Sequence, residues 1–308
     1  MKSHEALTPS RISPRDTWYP GSEPDSHLHT FTLIRDMSAS FSIEFTLFDQ
    51  HRNFYSITPH GDRLAELLCF NDYWFMEHKF DDLLSSIVAQ MLNTDKVWLE
   101  LTTWKNADGV IKGISIDKFT PILSWSGSKN VYFLSLSKGT IKPTFFRIPR
   151  KYTIGLSFRD IGLPKRYFHK LQSRLRKYDL PALTDMMLNP QKTHFDFSEY
   201  KEAKDYDILR DTKEIGWTGG DYSNPNMSES YLIYRIARYK ELRRKLYQYI
   251  IKQINRLLCE CSGDLDYQGR ITIQCSFVPM NIVLEQLSSG KINTTQASDL
   301  VWGKGPLA

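Results

Sequence analysis

The residues from 227 to 258, MSESYLIYRIARYKELRRKLYQYIIKQINRLL, form the longest uninterrupted helical pattern in this chain of 308 residues. Apolar residues recur within them at the three- and four-residue spacing of one helix face. A helix of this length extends roughly 50 Å, at about 1.5 Å per residue. Any fold that the chain adopts must therefore accommodate one long rod.

The predicted helix has an apolar face and a basic face. The apolar face consists of Leu232, Ile236, Tyr239, Leu246, Ile250, Ile254 and Leu257. The basic face consists of Arg238, Lys245, Lys252 and Arg256, flanked by Arg235. We expect the apolar face to pack and the cations to stay in solvent, with the stem of Arg243 lying along the protein surface. The pattern fits both an ordinary amphipathic helix and a helix whose cations contact nucleic-acid phosphates.

Local signals mark both ends of this helix. Asn226 is placed to cap the first turn, and Glu229, three residues later, completes a capping box. The predicted exit is at Gly263, because glycine takes the left-handed conformation that ends many helices. The sequence therefore predicts a helix with defined ends over residues 227–262.

Residues 31–160 alternate between strand and helix patterns. The alternation in SFSIEFTLF predicts a strand, and FYSI is a candidate return strand. Helices are predicted over residues 62–70 and 80–92. The segments VWLELTTW and VIKGISI flank the turn sequence NADG and predict a β-hairpin, and VYFLSL with TIKPTFFRI predicts another. The pattern indicates an α+β domain with β-hairpins.

A second basic helix precedes the long one. Leu163 and Pro164 mark its start, because proline is tolerated in the first turn of a helix. Its apolar stripe consists of Leu163, Tyr167, Leu171, Leu175 and Tyr178. The adjacent basic stripe consists of Arg166, Lys170, Arg174 and Lys177. A further short helix is predicted around residues 183–188.

A polar, aromatic and turn-rich insert separates the two basic helices. We predict that Trp217 anchors this insert, either in a core or at a subunit boundary. A strand over 271–277 and a helix over 281–287 are predicted after the long helix. The predicted organisation is a flexible N-terminal arm (1–30), an α+β domain (31–160), a first helical segment (161–188), the insert (189–226), the long helix (227–262) and a C-terminal strand and helix that return to the α+β domain (263–308).

The composition is that of a globular protein, with 41% hydrophobic and 13% aromatic residues. The net charge of +5 is small. It is compatible with contact to a polyanion but does not by itself indicate a protein dedicated to binding one. No segment approaches the about 18 apolar residues that cross a bilayer, and the start MKSHEALTPS lacks the apolar core of a secretion signal. We therefore expect a soluble protein in a reducing, intracellular setting, with no metal at Cys259 and Cys261.

Motifs of catalysis are absent from the sequence. It has no phosphate-binding loop, dinucleotide-binding glycine motif or nucleophile elbow. Asp95 and Glu100 bear a loose likeness to the carboxylate pair of a metal nuclease, which holds a cation that activates water. Such a site normally has a lysine where this chain has Thr102. We therefore predict no catalytic residue, no cofactor and no metal, and a structural or assembly role.

The order of the parts resembles the portal proteins of tailed bacteriophages, the rings through which DNA enters and leaves the capsid. In that family an α/β wing precedes a stem helix, a small clip, a second stem helix and a return to the wing. The wing hairpin is similar to WLELTTWKNADGVIKGISIDKFTPI, and the first stem helix to IGLPKRYFHKLQSRLRKY. The second stem helix is similar to SESYLIYRIARYKELRRKLYQYIIKQINRLL, and the segment after it to ITIQCSFVPMNIVLEQLSSGKINTTQASDLVWG. Residues 189–226 then correspond to the clip.

The resemblance implies a non-enzymatic subunit of a closed ring of about twelve copies. Double-stranded DNA would pass through this ring during packaging and ejection. The resemblance also implies terminase, capsid and head-to-tail adaptor proteins as partners, no membrane, and a place in the virion after assembly in the host bacterial cytoplasm. Because a tunnel lined with cations would hold phosphates tightly, we expect most of Arg238, Lys245, Lys252 and Arg256 to face acidic partners, and only a minority to meet DNA.

A second hypothesis belongs to a different class. It is a monomeric or dimeric accessory protein whose basic helices bind nucleic-acid phosphates directly. The mass of the particle separates the two hypotheses, because a portal-type ring contains about ten or more subunits.

Overall fold

The computed structural model describes residues 8–9, 17–18, 27–39, 55–58, 62–68, 76–137, 143–179, 197–219, 227–265, 269–273 and 279–302. They form a mixed α+β fold with antiparallel sheets, β-hairpins and one helix much longer than the others. This finding confirms the predicted fold class. The predicted strand SFSIEFTLF and the short helix around residues 183–188 lie outside the described residues.

The described residues contain nine α-helices and ten strands. The helices are α1 (Leu28–Ser38), α2 (Asp62–Leu68), α3 (Met76–Thr94), α4 (Tyr167–Asp179), α5 (Phe197–Asp211), α6 (Glu229–Glu260), α7 (Ser262–Leu265), α8 (Met280–Ser288) and α9 (Thr294–Trp302). The strands are β1 (Thr8–Pro9), β2 (Thr17–Trp18), β3 (Tyr55–Thr58), β4 (Lys96–Lys105), β5 (Ile111–Phe119), β6 (Leu123–Ser126), β7 (Asn130–Ser137), β8 (Pro143–Pro149), β9 (Thr153–Ser157) and β10 (Arg270–Ile273). Both predicted hairpins are present, as β4–β5 and β7–β8. Helices α1, α5, α7 and α9 and strands β1, β2, β6 and β9 have no counterpart in the sequence-based prediction.

The chain divides into two units. The first unit comprises residues 1–23, 40–165 and 247–275, and the second comprises residues 24–39, 166–246 and 276–308. The chain therefore leaves the first unit after residue 165 and re-enters it within α6. The N-terminal part of α6 belongs to the second unit and the C-terminal part to the first.

Strand β4 is the centre of one sheet in the first unit. It pairs antiparallel with β5 along one edge, and with β9 and the short β1 along the other. Its residues from Val97 to Thr103 are all buried, so both faces of the strand are covered. The NADG turn that joins β4 to β5 closes as predicted, with the Asn106 N–H donating to Val110 O at 3.0 Å and Gly109 at φ +78°.

A second sheet in the same unit is centred on β7, which pairs with β2, β6 and β8. An apolar cluster joins the two sheets: Trp98 and Phe119 from the first contact Val131, Phe133 and Ile148 from the second. The Trp98 and Phe133 rings meet edge to face, with centroids 5.0 Å apart. This aromatic contact fixes the orientation of the Trp98 indole.

The C-terminal part of α6 is tied into the first unit by polar contacts. The Tyr249 hydroxyl donates to Asp160 Oδ2 at 2.5 Å and accepts the Ser157 N–H at 3.2 Å. The Asn255 amide makes two 2.7 Å hydrogen bonds to the backbone of Ile271 in β10. Strand β10 in turn pairs antiparallel with β3. The chain therefore rejoins the first unit directly after the long helix.

The N-terminal part of α6 packs against α8 and α9 in the second unit. A buried apolar cluster joins the three helices: Ile233, Ile236, Ala237, Met280, Val283, Ala297 and Val301. The Lys240 ammonium also donates to Val301 O at 2.8 Å. We expected residues 263–308 to return to the α+β domain. Strand β10 does so, whereas α8 and α9 belong to the second unit.

Helix α6 begins and ends close to the predicted limits, but its ends differ from the prediction. Asn226 lies outside the described residues, and the Ser228 hydroxyl accepts the Tyr231 N–H at 3.3 Å in the first turn. The predicted left-handed exit is wrong, because Gly263 does not have a positive φ and lies within α7.

The described parts of the predicted N-terminal arm have regular structure. Strand β1 pairs with β4, and β2 pairs with β7. Helix α1 begins at Leu28 and packs against α4 in the second unit. These contacts differ from the expected flexible arm over residues 1–30, because the short strands complete sheets whose edges the sequence pattern did not reveal.

Candidate functional site

The basic face predicted for α4 is exposed. Its members are Arg166, Lys170, Arg174 and Lys177. Arg166 has a left-handed backbone (φ +59°), and the helix begins after it at Tyr167, later than predicted. Arg174 lies 3.7 Å from Asp211, which also accepts the Tyr178 hydroxyl at 2.8 Å. Burial, and then this hydrogen bond, raise the pKa of Tyr178 to about 12, so the hydroxyl stays a donor at neutral pH.

On α6, Lys245, Lys252 and Arg256 are exposed, as predicted. Two of them have an acidic partner one turn away: Lys245 lies 3.7 Å from Glu241, and Arg256 lies 3.0 Å from Glu260. Lys252 has no ion-pair partner among the described residues. Exposed pairs of this kind contribute about 0–1 kcal/mol. These cations therefore remain able to interact with another anionic group.

Two other arginines of α6 are more enclosed. Arg238 is half-buried, and its guanidinium donates to the Tyr234 hydroxyl at 2.8 Å. We expected the head group of Arg243 to be in solvent, but its residue is 4% exposed and its Nη2 donates to Ala39 O at 2.7 Å. The residue that follows α1 covers this side of α6, which the helical spacing does not reveal.

Arg235 is fully buried, which corrects its predicted place beside the basic face. Its Nη1 donates to Leu209 O at 2.9 Å, and its Nη2 donates to Thr212 Oγ1 at 2.7 Å and to Trp217 O. Among the described residues Arg235 has no acidic partner, and its Nε is buried without an acceptor. Burial lowers the pKa of Arg235, and neutral oxygens solvate the cation in place of water. Arg235 therefore connects α6 to the end of α5 and is not available to nucleic acid.

The turn after α5 approaches α6 closely. A Cβ on Gly216, which has φ +76°, would lie 2.2 Å from Arg235 O and 2.9 Å from Arg238 Cβ. Trp217, the predicted anchor, is 2% exposed, and its Nε1–H donates to Asp36 Oδ2 at 3.0 Å. Trp217 thus lies in the core of the second unit, one of the two places that the sequence allowed.

The first unit contains a cavity of about 150 Å³. Residues of β4, β6, β7, β9 and α6 line it, together with the turn after β8. Its charged side chains are Arg150, Arg256 and Glu260, so two cations and one anion face it. The volume is well above the about 10–15 Å³ that one water molecule needs. The cavity can therefore hold a small polar ligand.

Trp98 lines this cavity and carries an unused hydrogen-bond donor. The residue is 8% exposed, and its Nε1–H is buried without an acceptor among the described residues. Lys96 Nζ lies 4.6 Å from the centroid of the indole ring, which adds positive charge beside it. The nitrogen has almost no solvent-accessible surface, so the indole forms a wall of the cavity and its N–H does not open into it.

A polar cluster next to the cavity joins the turn after β8 to α7. Lys151 Nζ lies 2.7 Å from Asp264 Oδ2, and the Tyr152 hydroxyl donates to the same oxygen. The Cys261 thiol donates to Lys151 O at 3.0 Å. Hydrogen bonds from Lys151 and then from Tyr152 hold the pKa of Asp264 below its ordinary value.

This cluster makes the stability of the first unit depend weakly on pH. A carboxyl whose pKa is depressed by folding stabilises the protein above its unfolded-state pKa, and loses that contribution as the pH falls through its folded-state pKa. We expect D264N to lower the free energy of unfolding at pH 7 by no more than about 1 kcal/mol, because the pair is exposed. The difference from the wild type should shrink as the pH falls through the depressed folded-state pKa. Urea denaturation at pH 7 and pH 3 measures it.

Asp299 provides the control for this prediction, because it is exposed in α9 and has no ion-pair partner among the described residues. D299N should match the wild type at both pH values. A deficit of D264N that grows as the pH falls would contradict the assignment.

The face of β6–β8 opposite the apolar cluster carries exposed aromatic rings. Trp125 is 48% exposed and Phe145 55% exposed. Tyr132 stacks with both, with centroids 5.7 Å from Trp125 and 6.0 Å from Phe145. Residues 118–159 contain eight Lys and Arg and no Asp or Glu. Aromatic rings among cations without acidic neighbours favour contact with a nucleic acid, whose bases stack and whose phosphates are anionic.

The described residues include no group of three or more His, Cys, Asp or Glu that could hold a metal ion. Asp95 follows α3 with φ +64°, and Glu100 is buried within β4. Cys259 and Cys261 are not joined in a disulfide. Across the helices that the structure describes, none is both long and apolar enough to cross a membrane.

Comparisons with known proteins identify no family. No protein-family model matches the chain. No curated protein matches it either.

Sequence patterns did not single out Trp98, Arg150 or Glu260. The pairing of β4 with β9 places Trp98 opposite Gly155, and the C-terminal part of α6 adds Arg256 and Glu260. No spacing of residues within one segment indicates that these distant segments come together. The one available signal was the stretch without acidic residues, which includes Arg150.

Proposed function

We propose that this chain is a non-enzymatic structural subunit of a portal-type ring, which conducts double-stranded DNA at a capsid vertex during packaging and ejection. The supporting observation is the order in which the chain builds its two units. The chain leaves the α+β unit after residue 165, builds a helical unit, and returns through α6 and β10, which pairs with β3. This order is similar to the wing, stem, clip and return of portal proteins, except that α8 and α9 belong to the helical unit.

The proposal places the protein in the virion, with capsid, terminase and adaptor proteins as partners. It also constrains how copies of α6 meet their neighbours. Ile236, Leu246 and Ile250 of the apolar stripe are buried within the chain. We therefore assign the subunit contacts of α6 to its exposed cations Lys245 and Lys252, which suit acidic side chains of a neighbouring copy. A head-to-tail contact of this kind forms a ring when its rotation closes, and the proposal requires such closure.

Particle mass and charge reversal test the proposal. The purified wild type should form a particle of about ten or more subunits, visible as rings in negative stain. K245E/K252E should lose the ring, because the reversed charges repel acidic partners. Native mass spectrometry measures the mass, and circular dichroism checks that the variant is folded. K112E is the control, because Lys112 is an exposed lysine on β5, away from α6.

A wild-type chain that stays monomeric at high concentration would contradict the ring. If K245E/K252E forms normal rings and changes only DNA retention, then the cations contact DNA and the assignment to subunit contacts is wrong.

A second candidate is a monomeric or dimeric nucleic-acid-binding accessory protein. The exposed rings of Trp125, Tyr132 and Phe145, on a segment without acidic residues, favour it. A stable monomer whose affinity for DNA falls steeply with salt would support this candidate over the ring.

A further inference from the structure

We propose that the cavity lined by Trp98, Arg150, Arg256 and Glu260 is a binding site for a phosphate group. These residues lie within the first unit, so the site is complete in one copy of the chain. The proposal does not depend on the ring, because phosphate binding can be measured on the purified chain in any oligomeric state.

One wall of the site is the indole of Trp98. The residue is more than nine-tenths buried, and its Nε1–H has no acceptor in the described part of the chain. Contacts with Phe133 and Lys96 hold the ring on two sides. The indole therefore gives the cavity a rigid aromatic wall.

The two guanidinium groups supply the charge. Arg150 is exposed, and its side chain has no hydrogen-bond or ion-pair partner among the described residues. Arg256 pairs with Glu260 at 3.0 Å, at the exposed surface, where such a pair is weak. Both guanidinium groups can therefore reorient toward a ligand at little cost in free energy. Arginine matches phosphate well, because two parallel N–H groups can bind two of its oxygens.

The donor set favours phosphate over a carboxylate or an apolar ligand. A carboxylate has two oxygens, which a single guanidinium satisfies. A phosphate group has enough oxygens for two guanidinium forks. Glu260 is the one acidic group in the lining, and it competes with the ligand for Arg256. The competition predicts a variant that binds phosphate more tightly than the wild type.

Titration with inorganic phosphate at constant ionic strength, followed by calorimetry and tryptophan fluorescence, tests the site. R150Q should weaken binding about tenfold, through the loss of one charge-assisted contact. E260Q should strengthen binding several-fold, because it removes the anion that pairs with Arg256. R147Q is the matched control, because Arg147 is an exposed arginine on β8 that does not line the cavity.

Three results would overturn the proposal. The first is that the wild type binds no phosphate at a phosphate concentration on the order of 10 mM. The second is that R150Q and R147Q weaken binding equally. The third is that E260Q binds phosphate more weakly than the wild type. The source of the phosphate is resolved by a DNA oligonucleotide with a 5′-phosphate, compared with the same oligonucleotide with a 5′-hydroxyl. Tighter binding of the phosphorylated form, lost in R150Q, assigns the site to a nucleic-acid end. Equal binding of both, with free phosphate bound, assigns it to a small phosphate compound.

Discussion

The substitution G216A is expected to destabilise the second unit by about 2–5 kcal/mol, the sum of a left-handed backbone penalty and a steric clash. Gly216 has φ +76°, and the new methyl group would lie 2.2 Å from Arg235 O. Backbone atoms of two packed segments meet there, so no change of rotamer relieves the clash. Urea unfolding, followed by circular dichroism, measures the loss.

Gly290 provides a matched control in the same unit. It also has a positive φ, of +72°, but a Cβ there meets nothing within 4 Å. G290A should therefore lose only the backbone term of about 1–2 kcal/mol. If G216A loses no more than G290A, the close approach of the α5 turn to α6 is not present in solution.

Removal of the buried guanidinium has the second large expected effect. R235A should lower the free energy of unfolding by about 3 kcal/mol or more, because it leaves a cavity and deprives Leu209 O and Thr212 Oγ1 of a donor. R235K keeps the charge but lacks the fork that reaches Thr212 and Trp217 together, and should lose about 1–3 kcal/mol. Thermal and urea unfolding of the three proteins measure both differences.

R256A is the comparison, because Arg256 lies on the same helix but is 63% exposed. Its loss should stay within about 0.5–1 kcal/mol. Equal stability of R235A and R256A would contradict the buried network and return Arg235 to the predicted basic face.

Elements with a strong local signal were predicted well. The limits of α6 follow from a long apolar period without a breaker, and the β4–β5 hairpin follows from alternation on both sides of NADG. Strands β6 and β9 were missed, because they are short and owe their structure to partners elsewhere in the chain. Helix α5 was missed, because its apolar residues do not follow a single face.

The candidate site was predicted less well than the fold. Exposure of Lys245, Lys252 and Arg256 followed from the helix period, but burial of Arg235 did not. The helical spacing shows which residues share a face. Whether that face is exposed to solvent depends on the segment that packs over it. The cavity beside Trp98 had no local signal, since its lining comes from five strands and helices and a turn.

By itself the sequence determined the long helix, the two hairpins and the α+β class, because backbone geometry imposes periods that neighbouring residues reveal. It also determined that cations would follow one side of α6. The tertiary structure alone decided that α8 and α9 pack on the N-terminal part of α6, that Arg235 is solvated by the end of α5, and that Trp98 lines a cavity with Arg150. The physical reason is that these arrangements depend on contacts between residues far apart in the chain, whose positions are set by packing and not by spacing.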